Sequence, residues 1–400
     1  MSRHARLATG LVGCLTLLAI GWTGLLIPSL IRSIEDAFDQ SDAGIGLLYF
    51  IYAVTYAIGS LGGGLVTERV GRRTVLSLGA VLYGAGLIAF GMAPTWIVFA
   101  LVALPTGLGA GALDGGVNGL VLDLYPSGRG RALNLLHLFF SLGALTAPLV
   151  VGRLVDGGVA WEAILTASGV AAFLIAACYA VVRMPDGRRD VALRGRSDVG
   201  TVPERARPRL AGPLILLAVA IACYVASEIG VSSWLVRFLD PAPLSVATTA
   251  LSAYWAGLTL GRLLSARVAD RFDHISFTTV ASTVMAVTLL GAILAPSVPL
   301  AIALFALAGV ASGPVFPMII AIGGDRYPDR SAAVSGLLAG SAVVGSVVYP
   351  PIMGLLSVTV GLTAAMLGTV VLALACSGAL ALVGRDSTRR SQVSMLGSRP

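Results

Sequence analysis

The sequence predicts an all-α membrane protein: twelve spanning helices in two pseudo-symmetric bundles of six. Three observations predict it. The first is composition. Hydrophobic residues make up 56% of the chain and charged residues 12%, with a mean hydropathy of +0.90, where a soluble chain carries about 25% charged residues. Such a chain cannot cover itself with polar groups, so a lipid bilayer must surround it. The second is the spacing of apolar runs, at about 8–31, 43–66, 74–93, 95–122, 132–154, 160–182, 212–237, 244–267, 276–295, 298–323, 331–355 and 360–383. Each is long enough to cross the hydrocarbon core as a helix, and none alternates like a barrel strand. The third is an internal repeat. Shifting the numbering by 202 superposes Tyr52 on Tyr254, Gly59 on Gly261, Glu68 on Asp270, Arg69 on Arg271, Gly111 on Gly313, Asp123 on Asp325, Gly143 on Gly345 and Pro148 on Pro350. One constant offset across so much of the chain means two parallel copies of one plan.

The elements follow in order. The first run comes after Arg3 and Arg6, is too long for a signal-peptide core and lacks a small-residue cleavage site, so it reads as a retained span. The first bundle is expected over 8–182 and the second over 212–384. Between them, 183–211 holds eight arginines, four acids and three prolines, the composition of a flexible linker. All 27 basic residues are arginine. With the N-terminus inside, 23 of them fall in inner turns and tails, so both termini are assigned to the cytoplasm of a cell-membrane protein. The 49 glycines suit close helix packing in lipid.

Several classes are excluded. Without lysine there is no Schiff-base chemistry and no GxxxxGK[ST] nucleotide loop. Cys14, Cys178, Cys223 and Cys376 form no metal spacing, and no other metal or cofactor motif is present. The net charge of +7 is spread over short turns rather than gathered on one face, which argues against nucleic acid. No nucleophile motif suggests an enzyme. The expected partners are a small-molecule substrate, protons and the bilayer, with the chain acting as a monomer because it already holds both halves of a site.

Candidate site residues are the polar groups inside the spans. Asp114 and Asn118 lie four apart and share a helix face. A carboxylate in a spanning helix costs about 2.5–3.5 kcal/mol on insertion scales, so an intramembrane acid marks a site by default. Asp114 and Glu228 are therefore expected to bind protons and touch substrate. His137 lies at a depth that reaches Asp114, and Asn134 and Asn118 offer amides to hydroxyls. Trp22, Trp255 and Tyr254 offer aromatic faces. Arg262, inside the eighth run, reads as snorkelling toward the inner face, where a gate role is open to it.

The turn GGLVTERVGRR (63–73), echoed by SARVADRFD (265–273), resembles the signature turn of the major facilitator superfamily, with Glu68 where aspartate is usual. The resemblance implies an inner gate latched by Gly64, Glu68, Arg69, Gly71 and Arg72, and by Asp270 and Arg271. GAGALDGGVN (109–118), LNLLHLFFSLGA (133–144), YVASEIGVSSWL (224–235), YWAGLTLGR (254–262) and SGPVFPMI (312–319) resemble the fucose–galactose–glucose:proton symporter branch. That branch implies alternating access about an interface between halves, a proton-binding acid at Asp114, and uptake of a sugar or another small polar solute. The fourth run carries ALPTGLGAG (103–111) without the arginine of proton–drug antiporters. Export of amphipathic compounds is the alternative reading, favoured by Phe139, Phe140 and Phe316.

Overall fold

The computed structural model describes residues 2–126, 129–185 and 212–397, without the side chains of Arg129, Gly130, Asp270, Asp329, Ala332 and those after Arg385. Most of the expected linker, 186–211, and the expected gate side chain of Asp270 thus lie outside the described residues. Among the described residues are fourteen α-helices and no strand. They are α1 (Arg3–Gly24), α2 (Leu26–Phe38), α3 (Asp42–Val70), α4 (Arg72–Gly91), α5 (Trp96–Leu124), α6 (Arg129–Asp156) and α7 (Trp161–Val181). The second set is α8 (Gly212–Phe238), α9 (Leu244–Val268), α10 (His274–Ile293), α11 (Val298–Ser312), α12 (Val315–Arg326), α13 (Ser331–Val360) and α14 (Leu362–Gly397).

Fourteen helices make twelve segments because two are broken. The first apolar run bends at Leu25, where α1 gives way to α2. The tenth breaks at Gly313–Pro314, because a proline lacks the N–H that would continue the ladder. Eleven segments are long and apolar enough to cross a membrane. The twelfth, α9, has 25 residues but is diluted by Ser245, Thr248, Thr249, Ser252, Thr259 and Arg262. The chain is an all-α multi-pass membrane protein. Tight joints are made by Gly71 (φ 89°) between α3 and α4 and Gly361 (φ 93°) between α13 and α14, a backbone region that costs glycine little.

Contacts divide the chain into two compact units. The first holds α1 to α7 together with Asp240–Ser252, and the second holds the remainder of α8 to α14. The segment Asp240–Ser252 joins the first unit through specific bonds. Arg32 pairs with Asp240 at 3.4 Å and donates to the Ala242 carbonyl at 2.6 Å, and the Ser245 N–H donates to Asp156 at 3.0 Å.

Glycine seams hold each unit together. In the first, α3 and α5 lie so close that a Cβ on Gly59 would sit 2.2 Å from the Leu108 carbonyl, and one on Gly111 would sit 2.0 Å from that of Tyr56. In the second, Gly261 meets the Val310 carbonyl at 2.1 Å and Gly313 that of Leu258 at 2.5 Å. Both members of each contact are related by 202, so the repeat seen in the sequence is a repeat of packing. Away from the seams, leucine, valine and isoleucine side chains such as Leu61, Leu65, Val181 and Val280 face outward, as lipid-facing residues do.

Candidate functional site

Asp114 lies on α5 within a small polar cluster of the first unit. The Asn118 amide donates to the Asp114 carboxylate at 3.1 Å and to its backbone carbonyl at 2.9 Å, the one-turn contact that a spacing of four allows. From α3, the Tyr56 hydroxyl hydrogen-bonds to the same carboxylate, and Tyr52 lies within its electrostatic reach. From α6, His137 interacts with it electrostatically. Asp114 and Asn118 are half-buried, whereas His137 and Asn134 are exposed. The arrangement holds an acid between two hydrogen-bond partners beside an ionisable imidazole, the components of a proton-binding site. The sequence-predicted Asp114, Asn118 and His137 thus come together. Asn134 shares their helix set but makes no described hydrogen bond to them. Trp22 is engaged elsewhere: its indole N–H donates to Ser168 on α7 at 3.0 Å.

Beside this cluster, α1, α2, α3, α4, α5 and α7 line a cleft of about 60 Å³. Its wall is mostly apolar (Leu26, Leu48, Leu87, Phe90) with the hydroxyls of Tyr49, Tyr52 and Tyr83. Tyr83 hydrogen-bonds to Thr23 and reaches Tyr52. Tyr52 therefore touches both the cleft and the field of Asp114.

In the second unit, Glu228 on α8 is 7% exposed. It hydrogen-bonds with Tyr224, one turn earlier, and interacts with Arg262 and Tyr254 of α9. Tyr224 also donates to the Ser312 carbonyl at 3.0 Å, at the break between α11 and α12. Tyr254 is fully buried and Trp255 is 4% exposed. Arg262, expected to snorkel toward the inner face, lies in this cluster.

At the arginine-rich end of the first unit, the turn is tied through Arg72 to Asp123. Arg72 is 9% exposed and pairs with Asp123 at the end of α5, at 2.6 Å. Glu68 and Arg69 are exposed, with no ion pair among the described residues. Gly64 has open space where a Cβ would go. Arg73 donates to the Ala180 and Val182 carbonyls, at 2.7 Å for the latter, and so covers the end of α7. The second copy keeps the pair in altered form: His274, at the Arg72 position plus 202, lies 3.3 Å from Asp325, the Asp123 position plus 202. Arg271 is exposed. Sequence reasoning missed Tyr56, Tyr224, Asp123 and His274. The match of Asp123 with Asp325 was the available signal for the last two.

Comparisons with known proteins agree with this architecture. The sequence profile of the Major Facilitator Superfamily matches residues 11–296 and 215–398. A glucose/galactose transporter of Brucella abortus is 25% identical over 382 residues, covering 88% of this chain and 89% of that protein. A gentisate transporter of Corynebacterium glutamicum is 25% identical over 373 residues, covering 88% and 81%. The crystal structure of a D-xylose–proton symporter superposes with a TM-score of 0.75 at 15% identity, covering 94% of this chain and 97% of the other. With twelve segments, a 202-residue repeat and a profile match along nearly its whole length, this chain belongs to the Major Facilitator Superfamily of membrane transporters.

Proposed function

We propose that the protein is a secondary transporter that takes up a sugar or another small polar solute together with protons, by alternating access, in the cell membrane with both termini cytoplasmic. The observation that carries this reading is Asp114, an acid within a spanning helix held by Tyr56 and Asn118 beside His137. Its cost in lipid is offset by those partners, and proton exchange there would alter every hydrogen bond in the cluster. Asn118 and His137 supply polar contacts to solute, while Glu228, Tyr254 and Trp255 supply those of the second unit. The Arg72–Asp123 pair and the His274–Asp325 pair act as latches at the arginine-rich ends. The relatives' cargoes, hexoses in one case and an aromatic acid in another, are small polar solutes and support this class.

The test is uptake into proteoliposomes under an imposed inward proton gradient, with labelled hexoses and small organic acids tried in turn and internal pH read alongside. Label and protons entering in step are expected, with coupling lost in Asp114→Asn. Full uptake with unchanged pH dependence in that variant would sink the proton role. The apolar cleft beside Tyr52 supports a second reading, export of amphipathic compounds. Efflux of a hydrophobic dye from everted vesicles, with no hexose movement, would establish it.

A further inference from the structure

We propose that the second unit carries a carboxylate-recognition site, built from Arg262, Tyr254 and the helix break at Ser312–Gly313–Pro314, with Glu228 as its internal anion when no ligand is bound. The inference rests on the transport reading and names its cargo class: a small carboxylic acid rather than a neutral sugar.

Four features converge on one place. The start of α12, after the break, leaves the Val315 and Phe316 N–H groups without intrahelical acceptors, Pro314 and Pro317 having none to offer. The break lies directly against α9: a Cβ on Gly313 would fall 2.5 Å from the Leu258 carbonyl and 2.6 Å from the Arg262 backbone N–H nitrogen. Tyr224, donating to the Ser312 carbonyl, brings α8 to the same level, and Glu228 follows one turn later on its face. Tyr254, fully buried on α9, lies beside Ser312 and Glu228, yet its hydroxyl has no well-formed hydrogen bond. Ser232, one turn beyond Glu228, has an equally unpartnered hydroxyl. Broken helices of this kind hold substrate or ions in secondary transporters generally.

The balance of donors and acceptors selects the ligand. Arg262 interacts with Glu228 through space, but its guanidinium forms neither a contact ion pair nor a hydrogen bond among the described residues. A purely structural pair would close to contact, because a charge in the membrane interior is costly when left unpaired. Here a guanidinium with five donors, a buried tyrosine hydroxyl and a helix start face one carboxylate of the protein. The surplus is of hydrogen-bond donors. A ligand carboxylate supplies two acceptor oxygens in the fork geometry that arginine matches. A hydroxyl of a neutral sugar supplies no charge to satisfy Arg262.

Equilibrium binding to the purified full-length protein tests this, with labelled D-glucuronate, benzoate and D-glucose as probes. Glucuronate and glucose differ only in the carboxylate. At least one acid should bind about tenfold or more tighter than glucose, as expected of a charge-assisted hydrogen bond. Arg262→Gln should lose that margin and Arg262→Lys recover part of it. Tyr254→Phe keeps the ring and its packing and removes only the hydroxyl, so it should weaken acid binding severalfold at little cost to the fold. Glu228→Gln removes the competing anion and should tighten it. Equal binding of glucose and both acids, or acid affinity unchanged in both Arg262→Gln and Tyr254→Phe, would overturn the site. Asp114→Asn separates the two proposals: acid binding that survives in a variant with unaltered proton coupling supports this site while removing the proton role of Asp114.

Discussion

Gly111→Ala tests the link between packing and chemistry most sharply. The added Cβ would lie 2.0 Å from the Tyr56 carbonyl oxygen and 2.8 Å from the Ser60 nitrogen, both backbone atoms that cannot swing aside. Real Cβ atoms keep at least 3.0 Å, so α5 must move from α3 by about 1 Å or more. Overpacking of this kind costs about 1–3 kcal/mol. The movement also acts on the site, because Tyr56 carries the hydroxyl that holds Asp114. Stretching that bond by about 1 Å takes it beyond hydrogen-bond range, and a bond to a charged group contributes about 1.5–3 kcal/mol. The substitution should therefore lower the melting temperature in detergent and cut proton-coupled uptake at least tenfold. Gly62→Ala, where a Cβ meets open space, is the control and should leave both unchanged. A Gly111→Ala protein that melts and transports like the parent would refute the reasoning, since nothing else in the structure relieves the contact.

Other outcomes follow from the same contacts. Tyr56→Phe should reduce proton-coupled uptake about tenfold while leaving the fold intact, because it removes one bond to Asp114 and no bulk. In a double-mutant cycle of Arg72→Ala and Asp123→Ala, unfolding should show a coupling of about 1–2 kcal/mol, since the pair is only partly shielded from solvent. Trp22→Phe should cost about 1 kcal/mol of stability by freeing Ser168, with the apparent KM for solute unchanged. Asp273 caps α10 through the Ser276 N–H at 2.8 Å, which holds its carboxyl below the usual range. Because its folded pKa is depressed, its contribution is present above the unfolded value and lost as pH falls through the folded one. Asp273→Ala should thus cost about 1 kcal/mol at neutral pH, and the gap should close progressively in acid.

What was legible in the sequence was whatever depends on spacing along the chain. Asp114 and Asn118 are four apart, and they bond. The constant offset of 202 between glycines becomes the same offset between the carbonyls they touch. What was not legible depends on residues brought together across helices. Arg72, at the start of α4, finds Asp123 at the end of α5 rather than Glu68 just across the turn on α3. Tyr56 reads as an ordinary span tyrosine until α3 packs on α5. His274 hides because the repeat is recognised by identity, and here an imidazole replaces a guanidinium. The break at Gly313–Pro314 was written in the residues, but an apolar run continues through it, and hydropathy does not register a missing N–H.

That break also separates the two copies mechanically. The first unit's α5 runs 29 residues without a break, through Pro105, about 44 Å at 1.5 Å per residue. Its counterpart consists of two pieces, α11 with 15 residues and α12 with 12. A rigid rod meets a thinner or thicker bilayer only by tilting as a whole, whereas a jointed one can tilt its pieces separately. Lipid chain length should therefore strain α5 more than the jointed pair α11 and α12. Transport rate in bilayers of graded thickness would then follow the fit of the unbroken rod.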